Sequence, residues 1–269
     1  MGKFDGVLIA TDYDDTLVNR AKQVPQRSLE ALQSFTGQGG RFTIASGRGV
    51  EAIRPCLAGL PVNAPVVLAN GTQIYDFAAE RLLYQQYLPE EARGDFAQVL
   101  REFPQTAVEV YAQERLYCVR PNFVTAEHLR ITRQTAQEVR LEEIPEHWVY
   151  AKFEEENVCL RKIQTYLRER FPGRYEAIFS HPYLLEVAGA GSGKGPGVLR
   201  LARLLGIDPG DVYCAGDNEN DLSMLRAAAV SFTPANSTPM AMETADVIVC
   251  DCDQGALADV VEYLDKKYQ

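Results

Sequence analysis

Short apolar runs alternate with amphipathic stretches at both ends of this chain, and its middle has a different texture. Gly6-Val-Leu-Ile-Ala10 is a continuous apolar run of strand length, suited to a parallel strand buried on both faces. Gln26–Phe35 carries Leu29, Leu32 and Phe35 at helical spacing, and glycines at 37, 39 and 40 end it. Arg41-Phe-Thr-Ile-Ala45 reads as the next strand, followed by a helix from about Val50 and a third strand, Pro65-Val-Val-Leu-Ala69. The pattern resumes with a strand at Tyr183–Val187 and a helix at Gly197–Leu205 headed by Pro196, a residue at home in a first helical turn. A strand at Asp211–Ala215, a helix at Asp221–Ala228 and a strand at Val247–Cys250 follow. The last helix, from about Gly255, repeats Leu257, Val260, Val261 and Leu264. Such alternation predicts an α/β fold with a doubly wound parallel-sheet (Rossmann-like) core.

The segment between holds β-rich stretches (Ala107–Val119, Trp148–Phe153) and charged helices (Glu90–Phe103, Asn122–Val139, Val158–Phe171). It reads as a separate α+β domain inserted in the sheet domain. The expected boundaries are a core from 1–82 and 183–269, and an insertion over 83–182.

Composition narrows the function classes. An apolar fraction of 46% and a charged fraction of 24% are ordinary for a soluble globular protein. The N-terminal apolar run is too short for a signal peptide or a membrane span, and Gly6 stands where myristoylation needs Ser or Thr, so a cytoplasmic protein is expected. A net charge of −10 argues against nucleic acid or anionic membrane as a partner. No obligate protein partner is evident. The six cysteines lack a paired-ligand spacing and read as reduced thiols, and the sequons at Asn70 and Asn236 mean little without a secretion signal.

Candidate chemistry gathers where the strands end. Val7–Ala10 runs into Thr11-Asp12-Tyr13-Asp14-Asp15-Thr16, Phe42–Ala45 into Ser46-Gly47-Arg48, Val66–Ala69 into Asn70-Gly71, and Val212–Ala215 into Gly216-Asp217-Asn218-Glu219-Asn220-Asp221. In an open parallel sheet, ligands bind beyond the carboxyl ends of the strands, so these groups converge. Carboxylates ~4 Å apart repel by ~4 kcal/mol per pair at an effective dielectric near 20. Either some of Asp12, Asp14, Asp217 and Asp221 are protonated, or a cation sits among them. An all-oxygen set favours a hard ion, and Mg²⁺ is the usual choice beside phosphate. Any one of these aspartates alone reads as a helix cap, but all of them at strand ends together do not. Lys194, in Gly191-Ser-Gly-Lys194-Gly195, precedes a helix and can meet an anion there. Ala188 and Gly195 rule out a Walker A loop.

Asp12-x-Asp14-x-Thr16, Ser46, Lys194 and Gly216-Asp217-x-x-Asn220-Asp221, in this order and separation, resemble the haloacid dehalogenase superfamily. The long insertion, Ser46-Gly47-Arg48 and Asn70-Gly71 resemble its Cof-type sugar-phosphatase branch. The resemblance implies a Mg²⁺-dependent phosphatase of a small phosphorylated metabolite. Asp12 is then the nucleophile that forms an aspartyl phosphate, and Asp14 the general acid and base. Asp12, the Asp14 carbonyl and Asp217 hold the metal. Ser46, Gly47, Arg48, Lys194 and Asn220 bind substrate, with Thr16, Asn70 and Asp221 behind them. The insertion would be a cap that chooses the substrate. Asp15 departs from the family's frequent Gly, Tyr13 from the Cof branch's Leu, and Phe232–Asn236 from that branch's commoner Met-Gly-Asn-Ala, but none removes a catalytic group.

Three other readings compete with a phosphatase. A receiver-type signalling module lacks so long an insertion. A non-catalytic metabolite-binding protein has no need of both Asp12 and Asp14. The motifs leave open phosphotransfer to a sugar in place of water, although the superfamily's mutases usually carry a small cap between the first two motifs, where Thr16 to Ser46 leaves too little chain. Of the inserted cations, Arg115, Arg120 and Lys152 are the candidates to reach a substrate, although each taken alone reads as a solvated surface charge.

Overall fold

The chain alternates strand and helix at both ends because its apolar runs are short and separated by turn residues, and a computed structural model describes residues 2–132 and 134–268. Met1, Arg133 and Gln269 lie outside the described residues. The first segment contains β1 (Leu8–Thr11), α1 (Gln26–Gly37), β2 (Arg41–Ile44), α2 (Val50–Ile53), β3 (Val66–Leu68), β4 (Gln73–Asp76) and β5 (Arg81–Gln85). The middle contains α3 (Ala92–Glu102), β6 (Ala107–Ala112), β7 (Arg115–Val119), α4 (Phe123–Thr132), β8 (Gln137–Glu138), β9 (Trp148–Glu154), α5 (Asn157–Arg170), β10 (Tyr175–His181) and β11 (Leu184–Gly189). The last segment holds α6 (Lys194–Leu205), β12 (Val212–Ala215), α7 (Leu222–Ala227), β13 (Val230–Pro234), α8 (Pro239–Thr244), β14 (Val247–Val249) and α9 (Ala256–Lys267). Two compact units result, residues 1–84 with 193–269, and residues 85–192.

The discontinuous unit is built on a parallel sheet in the order β14-β13-β12-β1-β2. Ala45 bridges to Val67 in parallel and hands the sheet on to β3. Alternate residues of each strand serve opposite faces. Ile9, Phe42, Ile44, Tyr213 and Phe232 pack under α1 and α9 against Leu32, Phe35, Leu257, Val260 and Leu264. Leu8, Ala10, Val212 and Cys214 face α6 and α7 through Val198, Leu201, Ala202 and Met224. Strands covered on both sides in this way must be apolar throughout, which is why they read as continuous runs. In α1 the buried positions are Ser28, Leu32 and Phe35, so Leu29, expected on the inner face, stands beside it. The chain leaves β1 for β2 on one side and returns to β12 on the other, so a crevice opens at the carboxyl end of β1.

The inserted unit carries its own sheet, β10-β11-β9-β6-β7-β8. Its pairs are antiparallel except β7 with β8. One face is an apolar core in which Phe96, Val99, Leu160, Ile163 and Leu167 of α3 and α5 meet Val108, Val110, Ala151, Phe153, Leu185 and Val187. Two expectations need correction. The strand near 183–187, expected in the parallel sheet, is β11, whose backbone pairs with both β9 and β10; residues 183–192 therefore belong to the inserted unit. The helix expected over Asn122–Val139 is the shorter α4, and Gln137–Glu138 pair with β7 instead.

Candidate active site

β1 ends in Thr11, and the chain leaves helical and strand geometry at once. Asp12 sits extended, with its N–H bonded to Ala215 O at 2.8 Å, so it is pinned at the junction of β1 and β12. Asp14 is also extended, and Asp15 has a φ of 56°. Only the left-handed region offers that turn, which glycine enters freely and Asp at modest cost. Asp15 takes that turn here and gains Lys22 Nζ at 3.2 Å.

From the far side, α6 delivers Lys194 in its first turn. Its fully buried ammonium donates to Asp12 Oδ1 and to Asp221 Oδ1, both at 2.6 Å. Asp221 in turn accepts from the backbone N–H groups of Asp217 (2.9 Å) and Asn218 (3.1 Å), folding the loop after β12 around its carboxylate. Asp217 accepts the Thr16 hydroxyl at 2.6 Å, and its carbonyl accepts the N–H of Thr238 at 2.9 Å. The approach of α6 depends on glycine. Gly71, at φ +86°, lies so close to the Gly193 carbonyl that a Cβ would stand 2.0 Å from its oxygen.

Asp12, Asp217 and Asp221 present oxygens that all lie within 4.8 Å of one another. One lysine thus faces two buried carboxylates, Asp12 and Asp221, and the half-buried one of Asp217. Burial, reinforced by the neighbouring carboxylates and only partly opposed by Lys194, pushes the Asp12 carboxyl well above its ordinary range. Burial and then Asp221 push Asp217 up to about 7. Burial alone would lower the Lys194 ammonium, but Asp12 and Asp221 raise it, so it stays charged. Negative charge exceeds positive in this pocket, and its donors are oxygens only. The set fits a hard divalent cation, which would remove the surplus that protons otherwise relieve.

Asp14 belongs to a second network. Arg48 grips its carboxylate with two bonds, Nε to Oδ2 at 2.9 Å and Nη2 to Oδ1 at 3.0 Å, and Lys22 Nζ approaches to 3.3 Å. Burial acts to raise this carboxyl, but Arg48 and Lys22 outweigh it and hold its pKa below the ordinary value. Arg48, expected on substrate, is therefore engaged by Asp14. Ser46 Oγ, at the end of β2, accepts the Arg48 N–H at 3.1 Å, with Gly47 between them half-buried. Asn70 follows β3, receives Asn220 Nδ2 on its side-chain oxygen at 3.2 Å, and donates its N–H to Ser46 O at 3.1 Å.

The strand ends thus bring together Asp12, Thr16, Lys194, Asp217 and Asp221 in one group, Ser46, Asn70 and Asn220 in a second, and Asp14 with Arg48 in a third. Sequence reasoning missed Lys22, which has no motif around it. It also missed Thr238 and Asn236, whose side-chain amide donates to Asp15 O at 2.8 Å. Thr238 ahead of Pro239 carried a usable helix-cap signal, and its hydroxyl does accept the Ala241 N–H. In the inserted unit, Arg120 is occupied by the carbonyls of Leu100 (2.8 Å) and Pro104 (3.3 Å).

Residues 9–261 match the haloacid dehalogenase-like hydrolase family. The putative phosphatase YxeH of Bacillus subtilis is 24% identical, with 89% of this chain and 91% of that protein aligned. Pyridoxal phosphate phosphatase YbhA of Escherichia coli is 24% identical over 94% of this chain and 97% of its own length. Among solved structures, the subclass IIB sugar phosphatase BT4131 superimposes with a TM-score of 0.83 at 18% identity, covering 96% of this chain and 99% of that one. With the sheet, the insertion and the strand-end residues already in place, the match over nearly the whole chain means that this protein belongs to the haloacid dehalogenase-like hydrolase family and is a phosphatase-type hydrolase of it.

Proposed function

We propose that the chain hydrolyses a small phosphomonoester, a sugar phosphate or a metabolite of similar size, through an aspartyl phosphate on Asp12. The carrying observation is the Asp12 carboxylate fixed at the end of β1 by the buried Lys194 ammonium. Relatives named for pyridoxal phosphate and for sugar phosphates support the substrate class without choosing within it.

An Asp12 oxygen attacks phosphorus as the ester P–O bond breaks, and Asp14 gives its proton to the leaving oxygen. Asp14 then takes a proton from the water that attacks the aspartyl phosphate, so inorganic phosphate leaves and the Asp12 carboxylate returns. Lys194 holds the nucleophile in place and offsets charge as the phosphoryl group arrives. Ser46 and Asn220 donate to phosphoryl oxygens. Arg48 trades Asp14 for the incoming phosphate, and its departure lets the Asp14 carboxyl rise toward the range in which it can carry a proton. Mg²⁺, held by the Asp12 carboxylate, the Asp14 carbonyl and Asp217, would add charge neutralisation at the phosphoryl group. The inserted unit selects the substrate.

Asp14→Asn tests the assignment. It keeps the backbone carbonyl but removes the proton carrier, so turnover should fall by about 10²–10⁴. With p-nitrophenyl phosphate, whose leaving group needs little protonation, mass spectrometry should find a phosphoryl adduct on Asp12. An adduct on any other residue, or full turnover in excess chelator, overturns the reading.

A further inference from the structure

The sheet of the inserted unit has a second face, opposite its apolar core, and this face buries charge. Glu109 of β6 and Glu154 of β9 are both 0% exposed. Glu109 lies opposite Lys152 in the β6–β9 register, and Glu154 is two residues further along β9, so the two carboxylates are diagonal neighbours on one face. Above them stands His128 of α4, its side chain 10% exposed. Its Nδ1 lies 3.2 Å from Glu109 Oε2 and 3.0 Å from Glu154 Oε1. The placement is built in: Asn122, just before α4, donates its side-chain amide to Glu154 O at 2.8 Å and accepts the Thr125 N–H at 3.1 Å. The start of the helix is thereby tied to the strand that carries Glu154.

What is missing is a partner. Both oxygens of Glu109, both oxygens of Glu154 and His128 Nδ1 are buried with no hydrogen-bond partner. Lys152 does not fill the gap, since its ammonium lies 5.5 Å from the centroid of the Tyr150 ring and forms no ion pair with either glutamate among the described residues. Two buried carboxylates side by side are costly, and only the His128 imidazole and, at longer range, the Lys152 ammonium stand near enough to offset their charge. The mechanism proposed for the other unit uses none of these residues.

We propose that Glu109, His128 and Glu154 are the protein ligands of a second metal site, for a borderline divalent cation such as Zn²⁺. The ligand atoms lie within 4.8 Å of one another. Ligands ~2.1 Å from a shared ion stand about 3.0–3.4 Å apart, the spacing at which Nδ1 meets the two carboxylates. An imidazole nitrogen in the set selects against Mg²⁺ and Ca²⁺, which prefer oxygen alone. Two glutamates and one neutral histidine leave a divalent ion with no net charge, and three protein ligands leave a coordination position open. His128 also lines a cavity of about 690 Å³, with Phe123, Ile131, Tyr183 and Leu184 among its walls.

The test uses full-length protein stripped of metal by chelation and dialysis. Asp217→Asn disables the acidic cluster of the other unit, so Zn²⁺ counted by mass spectrometry and calorimetry then reports the remaining sites. D217N and D217N/E154Q are compared. E154Q removes one of two facing charges without changing shape, so it should fold, and circular dichroism checks this. The expected result is loss of one Zn²⁺ equivalent, or affinity at least tenfold weaker, in D217N/E154Q and again in D217N/H128Q. Zn²⁺ bound adventitiously by Cys252 and its acidic neighbours would be equal in all three proteins. Equal stoichiometry and affinity in D217N and D217N/E154Q would overturn the site and leave an imidazolium bridging the two glutamates.

Discussion

Lys194 decides the charge balance at the strand ends. Its ammonium is the cation that Asp12 and Asp221 share, at 2.6 Å from each, and it is fully buried. A methionine there has nearly the same length and no charge. Three carboxylates would then crowd one pocket with no fixed cation, and breaking such a buried pair costs about 3–5 kcal/mol. Protonation of Asp12 and Asp217 relieves part of that, at the expense of the nucleophile proposed at Asp12. Lys194→Met should therefore fold with a lower melting temperature and lose about 10²–10³ in kcat/KM, roughly 3–4 kcal/mol of transition-state stabilisation. Kinetics within tenfold of the unaltered enzyme would remove Lys194 from the mechanism. Asp14 shows the other use of charge in the same unit. Arg48 lowers its pKa while burial lifts that of Asp217, so two aspartates five residues or fewer from a strand end take opposite protonation behaviour from their surroundings.

At the scale of elements, the parallel sheet is stitched at its β13–β14 edge by a carboxylate. Asp246, just ahead of β14, accepts the N–H and the hydroxyl of Ser231 in β13, each at 2.8 Å, and returns its own N–H to that hydroxyl at 3.1 Å. The Ser231 backbone and then its hydroxyl hold the Asp246 pKa below the ordinary value. A carboxyl whose pKa is lower folded than unfolded stabilises the fold above its unfolded pKa, about 3.9, and loses that contribution as pH falls through the folded value. Asp246→Asn should thus melt at a lower temperature at pH 7, and the gap to the unaltered protein should narrow below about pH 4. A gap independent of pH would mean that packing, not the ionised carboxylate, is what the variant loses.

Which elements could be read from sequence follows from how local their causes are. β1, β2 and β12 are continuous apolar runs because helices cover both faces, and α9 shows its buried stripe directly. The strand-end residues were legible because each motif sits in one turn. β11 was misplaced because an apolar strand looks alike in a parallel or an antiparallel sheet, and only its pairing with β9 and β10 assigns it. β4, β5 and β13 are short strands that the sequence reading leaves out, and β13 ends in Pro234, a residue that counts against a central strand. Glu109, His128 and Glu154 lie on three elements with no common motif, so nothing short of the folded sheet brings them together.

Among the described residues, one unit packs apolar clusters on both faces of the parallel sheet, under α1 and α9 and under α6 and α7, and the other packs its core between the inserted sheet and α3 and α5. A ligand stabilises the state that binds it by RT ln(1 + [L]/Kd), and it protects the cooperative unit that contains its site. Mg²⁺ with inorganic phosphate should therefore slow amide exchange in β1, β2 and β12, whose ends carry Asp12, Ser46 and Asp217. At 100 Kd the gain is about 2.7 kcal/mol, close to a hundredfold in exchange rate for amides that open with the unit. β6 and β9 lie in the other core and should exchange as before. Zn²⁺ supplied to D217N should produce the reverse pattern, with β6, β9 and α4 slowed and the parallel sheet unchanged. Exchange measured by mass spectrometry on peptides from both units reads the two effects in one experiment. Equal slowing everywhere with either ion would show that the two cores open as a single cooperative unit. Slowing of the parallel sheet by Mg²⁺ and phosphate even when Asp12 and Asp217 are both replaced by Asn would show that the ligands act elsewhere than at the strand ends.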